Sequence, residues 1–383
     1  MSKACFSRQV VHEKNTVALP QPSCHSSEPL DDVRRCFGKE QKKIVLMRTP
    51  KDNLFAALRR EVPDRIPTFE WFIDGAVSQA LCGSTDPVEV VERLELDAVN
   101  VRADYDKTWK DDTTFVDEWG IERKLTGDVL PAAMNAPIPS IDSHAGYSFP
   151  SLDVPHRFQT LERAMEKYGD HRGVVLNLRD GFSDMRDLLG YENALVTLLT
   201  DKKHYHDLLK RVVEYNVALA ALAVKRYGIQ IVATTDDVAT GRGPIIKPKV
   251  YAERIAPHFQ EVIQGYKSLG LLVIKHSDGD IRPYLDGWLE AGIDCLDPID
   301  PGGGLDMAEM KEKYGHRICL KGNIDCTGNL CNGTPEQVAE EVRLCIAKGG
   351  RAGLIVSSSN TIHRGVRPEN YRAMLEAIRR FGQ

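Results

Sequence analysis

Residues 271–280 read LLVIKHSDGD, an apolar run that passes directly into His276, Ser277, Asp278, Gly279 and Asp280. A short apolar run bounded by glycine is the pattern of a strand buried on both faces. Titratable groups delivered to the carboxyl end of such a strand stand where α/β proteins do their chemistry. An imidazole beside carboxylates can donate a proton near neutral pH, which makes His276, Asp278 and Asp280 the anchor of the candidate site.

The same arrangement recurs. IQIVATTDD ends on Asp236 and Asp237, GIDCLDPID on Asp297 and Asp300, RICLKGNID on Asn323 and Asp325, and AGLIVSSSN on Ser357, Ser358, Ser359 and Asn360. Earlier runs are RIPTFEWF with Glu70, DAVNVRAD with Asp104, and GVVLNLRD with Arg179 and Asp180. Stretches of helical period, such as VYAERIAPHFQEVIQGYKSLG and PEQVAEEVRLCIAKGG, separate most of them. About eight such βα units predict an α/β fold, a TIM (β/α)8 barrel with its site at the carboxyl-end face. A doubly wound open sheet is the alternative that the same alternation could build. In the barrel, Glu70, Asp104, Asp237, His276, Asn323 and His363 should converge on one cavity. Lys275 alternates away from His276 and should face the other side.

The 383 residues carry a net charge of -5 and no polybasic field, which argues against nucleic acid or an anionic membrane as partner. No apolar run is long enough to span a bilayer, and the first residues lack the apolar core of a secretory signal. Nine scattered cysteines fit a reducing, cytoplasmic setting. Cys326 and Cys331 lack the second pair of a zinc module, and Cys295 and Cys319 read as core residues. Gly302–Gly304 reads as a turn.

A single domain is expected over 46–383, preceded by a mobile extension at 1–45 of mixed Ser, Pro, Gln, His and charged residues. Residues 106–165 interrupt the pattern as an insertion suited to a lid or docking surface. Within it, TTFVDEWGIERKL reads as a hairpin turning at Trp119-Gly120. Trp71, Phe72, Trp109 and Trp119 are candidates for an aromatic pocket.

DAVNVRAD and IHRGVRPENYRAMLEAI, together with DDVATGRGPIIKP and SSSN, resemble the uroporphyrinogen decarboxylase superfamily over most of residues 50–383. The resemblance implies a TIM barrel, a catalytic role for Asp104 and ligand contact for His363. The decarboxylases carry a basic Arg-Gln-Ala-Gly-Arg segment that meets a substrate with eight carboxylates. Here TFEWFIDGAV stands in that place with Glu70 and Asp74, two acidic groups that would repel such a polyanion.

The other branch resembled is that of methyltransferases working with a separate corrinoid protein. In its methanol and methylthiol members, zinc is held by His-x-Cys and a distant Cys. His276 matches the histidine, whereas Asp278 replaces the thiolate and Ser357–Ser359 offer none. A zinc site of His276, Asp278 and Glu70 or Asp237 would be harder in character, and a metal-free proton donor is the other reading.

The resulting expectation is a corrinoid-dependent methyltransferase of O-demethylase type acting on a small methoxylated or methylated compound. Asp104, His276, Asp278 and Glu70 would be catalytic, and Asp237, Arg242, Asn323, Ser359 and His363 would hold substrate. The cobalamin would arrive on a partner, because the chain has no Asp-x-His-x-x-Gly motif. A decarboxylase and a non-catalytic tetrapyrrole- or corrinoid-binding protein are the alternatives, and a homodimer is left open.

Overall fold

Seven of the apolar runs form parallel strands in the computed structural model, which describes residues 47–383 except 128. The expected extension over 1–45 lies outside the described residues. The strands are β1 (Ala98–Arg102), β2 (Gly173–Arg179), β3 (Ile231–Thr235), β4 (Leu272–His276), β5 (Cys295–Ile299), β6 (Cys319–Ile324) and β7 (Leu354–Ser358). They pair in chain order within one sheet.

Both outer edges of that sheet bond to the same segment, so the sheet is curled. Asp97 N, just before β1, donates to Thr68 O at 2.8 Å, and Val356 N of β7 donates to Pro67 O at 3.2 Å. RIPTFEWF therefore occupies the gap between β1 and β7 without forming the eighth strand expected of it. Its sequence explains why. Pro67 has no N–H to donate, and Ser358 N turns to the Glu70 carboxylate at 3.3 Å instead of a backbone carbonyl.

Side-chain alternation divides the strands into two layers. Val99, Leu176, Val232, Val273, Leu296, Leu320 and Val356 pack outward against the helices. Ala98, Val175, Ile231, Ile274, Cys295, Cys319 and Ile355 face inward, where Leu54, Ala57 and Leu58 of the helix Pro50–Leu58 pack onto them. That helix starts at a capping box between Thr49 and Asp52. It approaches so closely that a Cβ on Gly173 would lie 2.3 Å from Leu54 Cδ2. The amino-terminal end of the sheet is thus filled with apolar side chains, and polar inward positions are confined to the carboxyl end.

The insertion folds as expected around Gly120: Thr114–Asp117 pairs antiparallel with Glu122–Lys124 inside a small four-stranded sheet. Among the described residues, no helix is long and apolar enough to cross a membrane.

Candidate functional site

Continuing the inward face of β4 two residues beyond Ile274 gives His276, and on β5 the step from Cys295 gives Asp297. These side chains meet: His276 Nδ1 is 2.8 Å from Asp297 Oδ2. Asp297 Oδ1 accepts from Lys321 Nζ of β6 at 2.7 Å, and both partners are buried. Trp71 stacks on the imidazole with ring centres 4.1 Å apart. The ring is therefore fixed from one edge and one face, leaving Nε2 turned toward Asp278 Oδ1 at 3.6 Å.

Asp237, at the exit of β3, completes the group. One ligand atom from each of Asp237, His276 and Asp278 lies within 4.8 Å of the others. Gly279 makes the turn that follows possible: its φ is +84°, and a Cβ there would meet the Thr240 backbone at 2.5 Å. Asn360 Nδ2 donates to Asp278 Oδ2 at 2.6 Å, while Asp278 Oδ1 is buried without a hydrogen-bond partner.

The electrostatics follow from this crowding. Burial and the neighbouring carboxylates Asp237, Asp300 and Asp297 raise the Asp278 carboxyl to about 7, against the pull of His276. Burial works against charge on His276, but Asp278, Asp297 and Asp237 outweigh it and raise its pKa. The two groups titrate as a pair that shares a proton near neutrality. Asp297 remains ionised: burial opposes this, but Lys321 and His276 lower its pKa.

Glu70 sits beside this group rather than in it. Its carboxylate accepts from Ser358 Oγ at 2.5 Å as well as from the Ser358 amide. Burial lifts it to about 7 although Lys321 and Ser358 pull the other way. Asp74 caps the helix Gly75–Cys82 by accepting from Ala76 N.

The remaining expected residues lie in different places. Both oxygens of Asp104 accept from Thr160, one from its amide and one from its hydroxyl, each at 2.8 Å. That is a structural role at the start of the helix Gln159–Tyr168. Arg242 is exposed at the tip of the hairpin formed by Ala239–Thr240 and Gly243–Pro244. Asn323 is half-buried at the end of β6, paired in register with Ser357. Ser359 Oγ accepts from Cys326 N at 3.2 Å and donates to Cys326 Sγ at 3.5 Å. His363 Nε2 donates to Cys326 O at 3.0 Å, and Nδ1 accepts from Gly365 N. Ser359 and His363 thus share the Cys326 loop. Lys275 faces the helix layer, as its alternation requires, and pairs with Asp180 at 2.7 Å.

Sequence reasoning missed a second polar surface. On β1 and β2 the inward face continues through Asn100 and Arg102, and through Asn177 and Arg179, which line cavities at the same end of the sheet. The larger cavity, about 380 Å³, is walled by five guanidinium groups and four carboxylates, with Trp119 and Tyr215. Apolar–polar alternation in DAVNVRAD and GVVLNLRD was the signal for these residues. Acids prevail at the exits of β3–β5, whereas guanidinium groups outnumber carboxylates by five to four in the larger cavity. Trp71 and Phe72 line the smaller cavity and Trp119 the larger, while Trp109 is half exposed on the insertion.

Comparison with known proteins agrees with the fold. A solved methyltransferase from Methanosarcina mazei superposes with a TM-score of 0.70 at 20% identity, covering 87% of this chain and 99% of that one. The methylated-thiol–coenzyme M methyltransferase of Methanosarcina mazei is 24% identical over 226 residues, 59% of this chain and 58% of its own length. The methylcobamide:CoM methyltransferase MtbA of Methanosarcina acetivorans is 23% identical over 303 residues, 76% of this chain and 87% of that one. A uroporphyrinogen decarboxylase of Psychromonas ingrahamii is 26% identical over about half of each chain. The family profile described as uroporphyrinogen decarboxylase (URO-D) matches residues 87–381, so the chain belongs to the uroporphyrinogen decarboxylase family.

Proposed function

We propose that the chain is a corrinoid-dependent methyltransferase of O-demethylase type, passing a methyl group from a small methoxylated or methylated compound to the cobalt of a partner corrinoid protein. The observation that carries this reading is the convergence of Asp237, His276 and Asp278, with Asp278 Oδ1 buried and unpartnered. A methyl–oxygen bond breaks slowly because an alkoxide or phenolate leaves poorly unless its oxygen is protonated. The His276–Asp278 pair holds a proton near neutrality, and Asp297 with Trp71 keeps Nε2 aimed at the group. The leaving oxygen takes that proton as the methyl departs, and solvent restores it after the product leaves.

The same atoms fit zinc. Asp237, His276 Nε2 and Asp278 Oδ1 would hold it, with Asp297 behind Nδ1 as the usual support for a ligating histidine. Bound there, zinc would supply Lewis-acid polarisation of the leaving oxygen. The donors that converge there are two carboxylates and an imidazole.

We read residues 66–72 as the eighth stave of a closed barrel, because both outer strands bond to that segment. The insertion at 106–165 walls the larger cavity and is our candidate for the lid. Decarboxylation of an octacarboxylate fits less well. Of the five guanidinium groups in the cavity wall, Arg123, Arg157 and Arg179 already pair with acids.

The test offers purified protein reduced cobalamin with a panel of methyl ethers and, separately, uroporphyrinogen. Methylated cobalamin and no coproporphyrinogen is the expected result. Efficient coproporphyrinogen formation at low enzyme concentration would overturn the reading.

A further inference from the structure

Arg102 is, with Arg186, one of two cations of the larger cavity that form no ion pair among the described residues. Its guanidinium lies 4.7 Å over the Phe72 ring. Burial and the nearby Arg179 lower its pKa to about 10. The other cations are engaged: Arg123 binds Asp117 and Asp187, Arg157 binds Glu118, and Arg179 binds Asp184 and Asp187. Arg186 lies over the Phe182 and Tyr191 rings.

Beside Arg102 stands a second unmet donor. Asn177 is its register partner on β2, is only 4% exposed, and its buried Nδ2 has no acceptor. A half-buried guanidinium without an anion and, more so, a buried amide without an acceptor are costly. A carboxylate answers both, since it accepts at two oxygens and suits a guanidinium fork. A dianion suits the place less, because four carboxylates already line the wall.

We propose that Arg102 and Asn177 hold the carboxylate of the methyl donor, so that the substrate is a small acid with a flat, apolar body. The body is argued from Trp119, Tyr105 and Tyr215, which share the cavity with Arg102. A chain of ring contacts runs from Arg102 toward the acidic group: Arg102 lies over Phe72, Phe72 meets Trp71 edge-on, and Trp71 stacks on His276. Register gives the span. Arg102 aligns with Asn177, Ala233 and Ile274, two residues before His276, about 15 Å along the wall. The Arg102 side chain and a ring-sized substrate bridge that span across the interior. This inference rests on the methyl-transfer reading and adds the substrate class to it.

Calorimetric titration of the intact protein, without any corrinoid, tests the subsite. The probes are 4-methoxybenzoate, its neutral amide 4-methoxybenzamide, and inorganic phosphate. The acid should bind at least tenfold more tightly than the amide. Arg102→Gln should weaken the acid roughly 10- to 100-fold and leave the amide within about twofold, with Arg102→Lys between. Asn177→Ala should weaken the acid several-fold, and it serves as the independent variant if Arg102→Gln does not fold. Equal binding of acid and amide, no acid binding, unchanged acid affinity in Arg102→Gln, or phosphate binding more tightly than the acid would each overturn the proposal. Arg102-dependent acid binding without methyl transfer to reduced cobalamin would leave the subsite standing and remove the methyltransferase reading. Methyl transfer from neutral ethers with no preference for acids would do the reverse.

Discussion

A carboxyl raised to about 7 beside an imidazole whose pKa is also raised is poised to give up a proton at neutral pH. Asp278→Asn removes the acidic proton while keeping the shape and the acceptor for Asn360. Turnover should fall by about two to four orders of magnitude with substrate affinity nearly unchanged, as steady-state kinetics and direct binding would measure. Zinc uptake by dialysed protein should fall in the same variant, read by elemental analysis; stoichiometric zinc in Asp278→Asn would rule that residue out as an essential ligand. Asp297 plays a different part. It neutralises the buried Lys321 and orients His276, so Asp297→Ala leaves a buried ammonium unpaired and should cost roughly 3–5 kcal/mol in urea unfolding. Unchanged stability would mean that Lys321 is compensated elsewhere.

Glu70 belongs to the segment between β1 and β7, and its carboxyl replaces a ladder carbonyl for the Ser358 amide. Its folded pKa of about 7 lies above the ordinary value of 4.5, so the folded protein holds this proton more tightly than the unfolded chain does. The stability it contributes is therefore full below about pH 4.5 and lost as pH rises through about 7, an effect of about 3 kcal/mol. Glu70→Gln should flatten that part of the profile and raise stability at pH 8, measured as unfolding free energy across pH 4–8; a profile parallel to that of the wild type would contradict the burial of this acid. The strand exits carrying His276 and Asp237 were legible because apolar runs ending in titratable groups mark them directly, and Glu70 ends a similar run that forms no strand. Asp104 looked the same in sequence, yet Thr160, distant in the chain, takes both its oxygens. The failure of RIPTFEWF to form a strand has a local part, Pro67 without an N–H, and a part across the gap that no local pattern records, the Ser358 amide turning to Glu70. Arg102, the last residue of β1, was masked by Asp104 two residues further on.

Across the whole molecule, the carboxyl end of the sheet is divided. Acids gather on the β3–β5 side, and guanidinium groups gather on the β1–β2 side beneath the insertion. Most of those cations are already paired, so uroporphyrinogen should not be decarboxylated, a result chromatography of the porphyrin products would read. Methyl transfer itself is the claim on which the rest depends. A methoxy compound labelled with carbon-13 on the methyl, mixed with the protein and reduced cobalamin, lets nuclear magnetic resonance follow the label. The account predicts that the signal moves from oxygen to cobalt with wild-type protein and at least 100-fold more slowly with Asp278→Asn. A label that stays on oxygen across the panel of ethers, or moves equally fast with both proteins, would contradict it.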